Sequence, residues 1–536
     1  MRRYVQKQLL ELAGAVSDGV RSAESSGLNE CDAAVLMDCH AGINTMDKAL
    51  SAALSHDRFM EYKELLDYVK ELLELLYKET HKTMGEVVLE PAYNVNAVLD
   101  ALYDNLSVLY KELENESEVK LEIVFMPYKA SMWDCFDSIW RAASKDKRCN
   151  VSVVPIPYYD KGSNGELCNY YYEGESLPGY VKIIHYQAYS MQIHKPDAVY
   201  IHNPYDGCNY VTSVAPEYYS KELRKHTDRL IYVPYFIAGC YLDIQSALPY
   251  VAPMVILNSH YIVYQSPVQL EMLKEMGLYQ NNALVLGNPK LDYYADLKDP
   301  GMPDQAWEKC QRLKKTVLFT TTLDLLLSQS TTDDPFAWLR YTLMFMNSIL
   351  QSADIAMIWR PHPLTRQTIH SMRPYLTEAY ECLESDVLSH SNCVLDEQAD
   401  SRYAIYYSDA LISDGGSMSM QYMATEKPVL NIYSSRCSAY TAFDMGGAYF
   451  ADQMVYPSDE FSKLSTEEKQ KSRSEGIHRF CEMVLCGQDP KKETRLAVMR
   501  RSVVNSDGTA GEKIHQCIAA GLLGAVNSNS TRSFTN

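Results

Sequence analysis

The chain lacks the residue patterns that mark several common chemistries. Its 14 cysteines are scattered, with no CxxC pair and no Cys/His cluster at metal-ligand spacing. That argues against a zinc module or a disulfide framework and fits a reduced, cytoplasmic compartment. There is no GxxxxGK[ST], HExxH or GxSxG segment, which weighs against a P-loop ATPase, a zinc protease and an α/β-hydrolase. No run approaches the roughly 20 apolar residues of a membrane span. The opening MRRYVQKQLLELAGAV is basic at first, but Gln, Lys and Glu interrupt its apolar run; it reads as an amphipathic helix rather than a signal peptide. Positive charge is in deficit, with 50 Lys and Arg against 69 Asp and Glu and a net charge of −19. This argues against broad nucleic-acid binding and against unassisted adhesion to an anionic membrane, while leaving room for a local basic patch. Phenylalanine is sparse (12) beside 41 tyrosines. Tyrosine combines apolar area with a polar tip and suits clefts for polar ligands, although most tyrosines serve as half-buried core.

With 536 residues the chain has room for two or three domains. Residues 1–118 read as a helical region, a hairpin or small bundle. In Tyr62 to Tyr77, for example, apolar residues recur at helical spacing between Glu and Lys. Its plain roles are packing and self-association. Strand-like runs then alternate with helical ones from residue 119: Lys120 to Met126, Val151 to Ile156, Ala198 to Ile201, Arg229 to Val233, Met254 to Leu257 and Ala283 to Leu286. Residues 161–179 are rich in Gly, Ser, Asn and Tyr and read as a surface loop. LKDPGMPD, within 292–304, reads as a linker. A second alternating series follows, with strands at Thr316 to Phe319, Ile355 to Trp359, Asn392 to Leu395, Ala410 to Ile412 and Val429 to Tyr433. Two α/β series predict two doubly wound parallel sheets facing a cleft. The expected division is 119–300, 301–525 and a disordered tail, 526–536.

The stretch Tyr406 to Tyr433 organises the second series. It reads as a strand, a small-residue turn (Ser413, Asp414, Gly415, Gly416, Ser417), a helix over Met418 to Thr425 and a second strand. Free backbone N–H groups at such a helix start suit a phosphate; an ordinary βα turn without a ligand fits equally well. Two further loops follow predicted strands, Thr320-Thr321-Thr322 and Arg360-Pro361-His362-Pro363. In a parallel sheet all three open on one edge. Together they offer the guanidinium of Arg360, hydroxyls and amides, a set suited to a diphosphate. His362 suits a phosphate contact or protonation of a leaving group; alone it would be a structural strand-end histidine. In the first series His202 and Asp206, within YIHNPYD, are candidate general bases, with local backbone bonding as the plainer role. Trp133-Asp134 is another polar strand exit, and Asp134 also suits a helix cap.

These residues resemble the CDP-glycerol glycerophosphotransferase family, the teichoic-acid polymerases and primases of GT-B fold. The resemblance spans about Leu121 to Leu485. Its carriers are VFMPYKASMWDCFDSIW (Val124 to Trp140), VVPIPYYD (Val153 to Asp160), KPDAVYIHNPYD (Lys195 to Asp206), LVLGNPKLD (Leu284 to Asp292) and SDALISDGGS with KPVL (Ser408 to Ser417, Lys427 to Leu430). The SDxxS turn followed by a KP strand is the most specific, and UDP-N-acetylglucosamine 2-epimerases carry a similar turn. The resemblance implies two Rossmann-like domains, the second binding the nucleotide donor and the first facing the acceptor. It places Ser413, Asp414, Gly416 and Ser417 at the donor phosphates, His362 on the diphosphate and Lys427 at the family's lysine. Two departures stand out. The WHGTPLK-type segment that holds the family's presumed acceptor base is replaced by IYVPYFIAGC (Ile231 to Cys240). Gln421 stands where an acidic residue suited to the ribose is usual.

The implied function is transfer of glycerol phosphate, or a related polyol phosphate, from a CDP-activated donor to a lipid-linked or glycan acceptor of the cell envelope. Thr321, Thr322, Arg360, Gly415 and Gln421 would join the donor site. No cofactor is expected, and a divalent-metal requirement stays open. The enzyme is expected in the cytoplasm with peripheral contact at the inner face of the membrane, without nucleic acid, and with the N-terminal helices available for self-association. Rival readings are a nucleotide-sugar glycosyltransferase or epimerase on the same fold, and a non-catalytic scaffold of an envelope-polymer complex.

Overall fold

The computed structural model describes residues 1–81, 94–162, 164–209, 211–241, 243–279, 281–295, 297–327, 334–398, 400–434 and 440–529. The chain opens with α1 (Arg3–Ser25), α2 (Ala33–Ala53), α3 (His56–His81) and α4 (Val95–Glu114). These pack in sequence, with α1 closing on α4. Leucines and valines at helical spacing bury one stripe of each: Leu9, Val16 and Val20 of α1, Leu66 and Val69 of α3, Leu102, Leu106 and Leu109 of α4. Arg3 fastens this bundle to the α/β body. It is 3% exposed, and its Nη1 pairs with Asp197 at 3.1 Å and Asp228 at 2.6 Å. Those aspartates immediately precede the strands Ala198–Ile201 and Arg229–Tyr232. The bundle therefore sits at the amino edge of the first sheet, opposite the edge where strand-end loops gather.

The first sheet has six parallel strands. Their order is Ala283–Val285, Tyr261–Tyr264, Arg229–Tyr232, Ala198–Ile201, Leu121–Met126 and Cys149–Val153. The second also has six, in the order Cys393–Leu395, Ile355–Pro361, Lys315–Thr321, Ala410–Ser413, Val429–Asn431 and Tyr449–Phe450. Numbered within their own sheets the strands run 6-5-4-3-1-2 and 3-2-1-4-5-6, both doubly wound orders. The expected two Rossmann-like sheets of a GT-B-like fold are thus present. Both sheets are covered on two faces, so their strands are continuously apolar: Val317, Leu318, Phe319, Ile355, Met357 and Trp359 are all 0% exposed. The two bodies are tied by a short antiparallel pair, Cys240–Tyr241 with Tyr440–Thr441. The last helix, Ala510–Asn529, packs on Asp137–Lys145 beside the first sheet.

Several sequence expectations need correction. Met254–Leu257 is a 3-10 helix, and the strand follows at Tyr261–Tyr264. A four-residue apolar run does not distinguish a strand from a buried helical turn, and Pro253 starts the turn here. The expected loop 161–179 contains a strand, Leu167–Tyr171, paired antiparallel to Tyr158–Lys161, which also pairs with Thr212–Val214. Its tyrosines have strand preference that the Gly/Ser flanks obscured. The polar exit at Trp133-Asp134 lies in a 3-10 turn, Ala130–Cys135, followed by the helix Asp137–Lys145. Asp292, placed at the start of the linker, lies in the buried helix Pro289–Ala295. Of the expected disordered tail, residues 526–529 belong instead to the last helix, Ala510–Asn529, and residues 530–536 lie outside the described residues. Among the described residues no helix is long and apolar enough to cross a membrane.

Candidate functional site

A doubly wound sheet binds ligands at the carboxyl edge, where the strand order reverses. In the second sheet that point lies between Lys315–Thr321 and Ala410–Ser413. Register brings the three predicted loops abreast: Thr320 stands opposite both Arg360 and Ser413. They open into a cleft of about 1130 Å³ between the two sheets. The second domain contributes Thr320 to Thr322, Arg360, His362 and the turn from Gly415 through Gln421. The first contributes Ala130, Trp133, Asp134, Glu173, Tyr180 and Lys290.

The turn is held from behind. Ser413 is fully buried; its Oγ accepts from Thr320 at 2.8 Å and donates to the Gly415 carbonyl at 2.7 Å. Both carboxylate oxygens of Asp414 accept from the Thr322 amide. Gly416 has φ +83° and ψ −178°, a conformation that only glycine adopts freely. The helix it opens, Ser417–Met423, has no side-chain cap on its first amides, so those donors are left for water or a ligand. Ser413 and Asp414 are absent from the cleft lining; they shape the turn, while Gly415, Gly416 and Ser417 present its surface.

Arg360 is 9% exposed and its Nη1 pairs with Asp396, which is 2% exposed. Burial raises the Asp396 carboxyl above its ordinary range, and the adjacent guanidinium opposes that rise. An arginine has five N–H donors, so this pairing aims the fork without exhausting it. His362 accepts from the Leu364 amide at Nδ1, 3.2 Å, which leaves the proton of a neutral ring on Nε2. Thr321 is almost buried, and its Oγ1 accepts from Trp359 Nε1. Gln421 reaches the cleft though it is 5% exposed.

The structure does not bring His202, Asp206 or Lys427 to the cleft. His202 is fully buried under the Tyr128 and Phe136 rings. Its Nε2 accepts from the Tyr128 amide at 3.1 Å, and burial pushes its pKa down to about 3. Asp206 has φ +48° and accepts from both the amide and the hydroxyl of Ser220. Lys427 donates to the carbonyls of Ile405, Tyr406 and Ser408, at the carboxyl end of the helix Arg402–Tyr407, as a C-capping side chain does.

What sequence reading missed is the opposite wall. Asp134 is 9% exposed; its Oδ2 accepts from Lys290 Nζ at 2.6 Å and Tyr294 Oη at 3.1 Å. Tyr294 also meets Ser401 Oγ at 2.9 Å, linking the two domains across the cleft. The polar exit at Asp134 was visible, but its partners lie about 160 residues on, beyond any local pattern. The one group among the described residues with metal-ligand proximity is Asp146, Cys149 and His515. Its Asp146 and His515 line a different hollow, and Arg148 already holds Asp146 at 3.0 and 2.8 Å.

No protein-family model and no curated protein matches the chain. Solved structures do show likeness. The S. aureus MnaA–UDP co-structure shares 14% identity over 75% of this chain and 97% of that chain, at TM-score 0.46. UDP-GlcNAc 2-epimerase from Neisseria meningitidis bound to UDP-GlcNAc shares 13% over 75% and 99%, at 0.45. A variant of the wall teichoic acid polymerase TagF shares 14% over 81% and 100%, at 0.43. Likeness of this size assigns no residue and no substrate to the present chain.

Proposed function

We propose that the protein is a transferase that moves glycerol phosphate, or a related polyol phosphate, from a CDP-activated donor to a cell-envelope glycan or lipid-linked acceptor. The observation that carries this reading is the convergence of Thr320 to Thr322, Arg360, His362 and the Gly415 to Ser417 turn on one wall of the interdomain cleft. A buried, oriented guanidinium, open turn amides and a ring N–H donor form an anion-binding wall at the sheet's switch point. The opposite wall leaves space for a second substrate. The choice of CDP and glycerol rests on the sequence resemblance, whose segments Val124 to Trp140, Leu284 to Asp292 and Ser408 to Ser417 each contribute residues to the cleft.

In this reading the acceptor hydroxyl attacks the β-phosphorus of the donor. The new O–P bond forms as the bond between that phosphorus and the bridging oxygen breaks, and CMP leaves. Arg360, His362 and the turn amides stabilise charge on the leaving group, a task that preorganised donors perform without reorganisation. Incubation of the purified protein with CDP-glycerol and candidate acceptors, assayed for CMP, tests the proposal. Acceptor-dependent CMP release, with CDP competing better than UDP, is expected. Absence of release with every acceptor, together with absence of CDP binding, refutes it. Preference for UDP points instead to a nucleotide-sugar enzyme.

A further inference from the structure

We infer that Asp134 is the base that receives the acceptor hydroxyl's proton, with Lys290 and Tyr294 as the groups that position it. The inference rests on the cleft being a donor–acceptor site and adds the acceptor-side residue that the sequence left unassigned.

Asp134 carries an unsatisfied atom. Its Oδ2 has two donors, Lys290 Nζ and Tyr294 Oη. Its Oδ1 is buried and has no hydrogen-bond partner. An orphaned buried acceptor is costly, and more so when it is charged. A carboxylate kept only to pair with Lys290 would gain from closing both oxygens, yet this one leaves a buried oxygen unpartnered in a side chain that lines the cleft. A hydroxyl O–H entering the cleft supplies the missing donor.

Other carboxylates on the cleft are engaged. Glu173 accepts from Tyr158 Oη through Oε1 and from the Ala130 amide through Oε2. Asp400 accepts from the Arg402 amide through Oδ1 and from its Nε through Oδ2. His362 stands on the opposite wall, with the donor-facing groups. His202 and Asp206 are outside the cleft lining. Asp134 therefore combines a place on the cleft lining, an unpartnered acceptor atom and a fixed orientation.

The step balances without a further reactant. The acceptor O–H proton passes to Asp134 Oδ1 as its oxygen bonds to the β-phosphorus, and CMP departs with the electron pair of the broken P–O bond. Asp134 then returns the proton to solvent. A carboxylate suffices because phosphoryl-type transfer has a loose transition state in which deprotonation need not run ahead of bond formation, as with the aspartate of protein kinases. The ligand class at Oδ1 is an alcohol, such as the terminal hydroxyl of a polyol or glycan.

The test compares wild type, Asp134→Asn, Asp134→Ala and the double variant Asp134→Asn/Lys290→Met in the full chain. The double variant removes both charges, so folding does not depend on an unpaired buried lysine. CDP affinity, thermal midpoint, acceptor KM and the kcat of CMP release are measured. The expected result is CDP affinity within about threefold of wild type and a kcat lowered at least about 100-fold, the range for loss of a general base. Added formate should restore part of the turnover of Asp134→Ala, which a merely structural carboxylate would not explain. If wild type transfers and the folded variants keep a tenth or more of its kcat, the inference is overturned and the proposed function stands. If all three variants lose CDP binding together with turnover, Asp134 is structural and the inference is likewise overturned. If wild type itself neither binds CDP nor releases CMP, the proposed function fails and takes the inference with it.

Discussion

Thr322 and Asp414 are joined across the reversal point of the second sheet: the Thr322 amide donates to both Asp414 carboxylate oxygens, at 2.8 and 3.0 Å. Each residue closes the strand that precedes it, so this contact fixes the separation of two loops of the proposed anion-binding wall. Asp414→Ala removes a charge-assisted bond to a backbone N–H and should cost about 1.5–3 kcal/mol of stability. CDP affinity should fall at least tenfold, because the Thr322 and Gly415 loops lose their common anchor. Thermal melts and calorimetric titration with CDP check the two effects. Unchanged affinity in a destabilised variant would show that the loops hold their places without the contact.

Gly416 makes a sharper demand. With φ +83° it sits where a side chain is strained, and an added Cβ would lie 3.1 Å from Thr322 Cγ2. Gly416→Ala should cost about 1–3 kcal/mol in backbone strain and push the turn away from Thr322. The expected outcome is weaker CDP binding with little change in acceptor KM, measured by initial rates over both substrates. Gly415, at φ +150° with open space around its Cβ position, should show a smaller effect on substitution.

The sequence displayed the strand ends well and the packing between distant segments poorly. Thr316 to Phe319, Ile355 to Trp359 and Ala410 to Ile412 were readable as strands because buried parallel strands are short, continuous apolar runs with polar exits. The register that sets Thr320 between Arg360 and Ser413 depends on crossovers that no local pattern encodes. His202 illustrates the opposite failure. Its polar setting after a strand resembles a site, but the ring turns inward beneath Tyr128 and Phe136. Tyr294 gave no signal, and Lys290 only its place within LVLGNPKLD, since their chemistry appears only when the helix Pro289–Ala295 packs against the turn that holds Asp134.

Arg360 serves both stability and the site, and the two can be separated. Arg360→Met leaves Asp396 buried without its partner, which should cost about 3–5 kcal/mol. Adding Asp396→Asn removes the stranded charge and should recover much of that loss. CDP affinity should remain low in both variants, because neither restores a cation at the cleft. Stability from thermal melts and affinity from CDP titration should therefore part company in the double variant; recovery of both would assign Arg360 to the fold alone.

Lys427 should behave as a capping residue. Burial lowers its ammonium to about 8, so at pH 7 it is still largely protonated and can donate to its three carbonyls. Lys427→Met strands those acceptors and should lower the thermal midpoint by several degrees, by the loss of charged hydrogen bonds. CDP affinity of the folded variant should stay within about twofold of wild type. A large loss of affinity without loss of stability would return Lys427 to the site.

Asp292 predicts a pH dependence away from the cleft. It is 8% exposed, and its carboxylate accepts from the amides of Ala510 at 3.2 Å and Gly511 at 2.7 Å, pinning the start of the last helix. Burial nonetheless pushes its pKa up to about 6, against the pull of those amides. A carboxyl whose pKa is higher in the folded chain holds its proton more tightly there than when unfolded. Its contribution to stability is therefore complete below about pH 4 and is lost as pH rises through about 6. Each tenfold change in proton affinity is worth about 1.4 kcal/mol, so the loss amounts to about 3 kcal/mol. Asp292→Asn retains an acceptor for the helix amides but does not titrate. The difference in thermal midpoint between wild type and variant, measured from pH 4 to pH 7, should move in favour of the variant as pH rises and level off above pH 7. Using the difference cancels the other carboxylates, which both proteins share. A flat difference across that range would mean that the two amides offset burial completely and that the last helix is held with equal strength in acid and at neutrality.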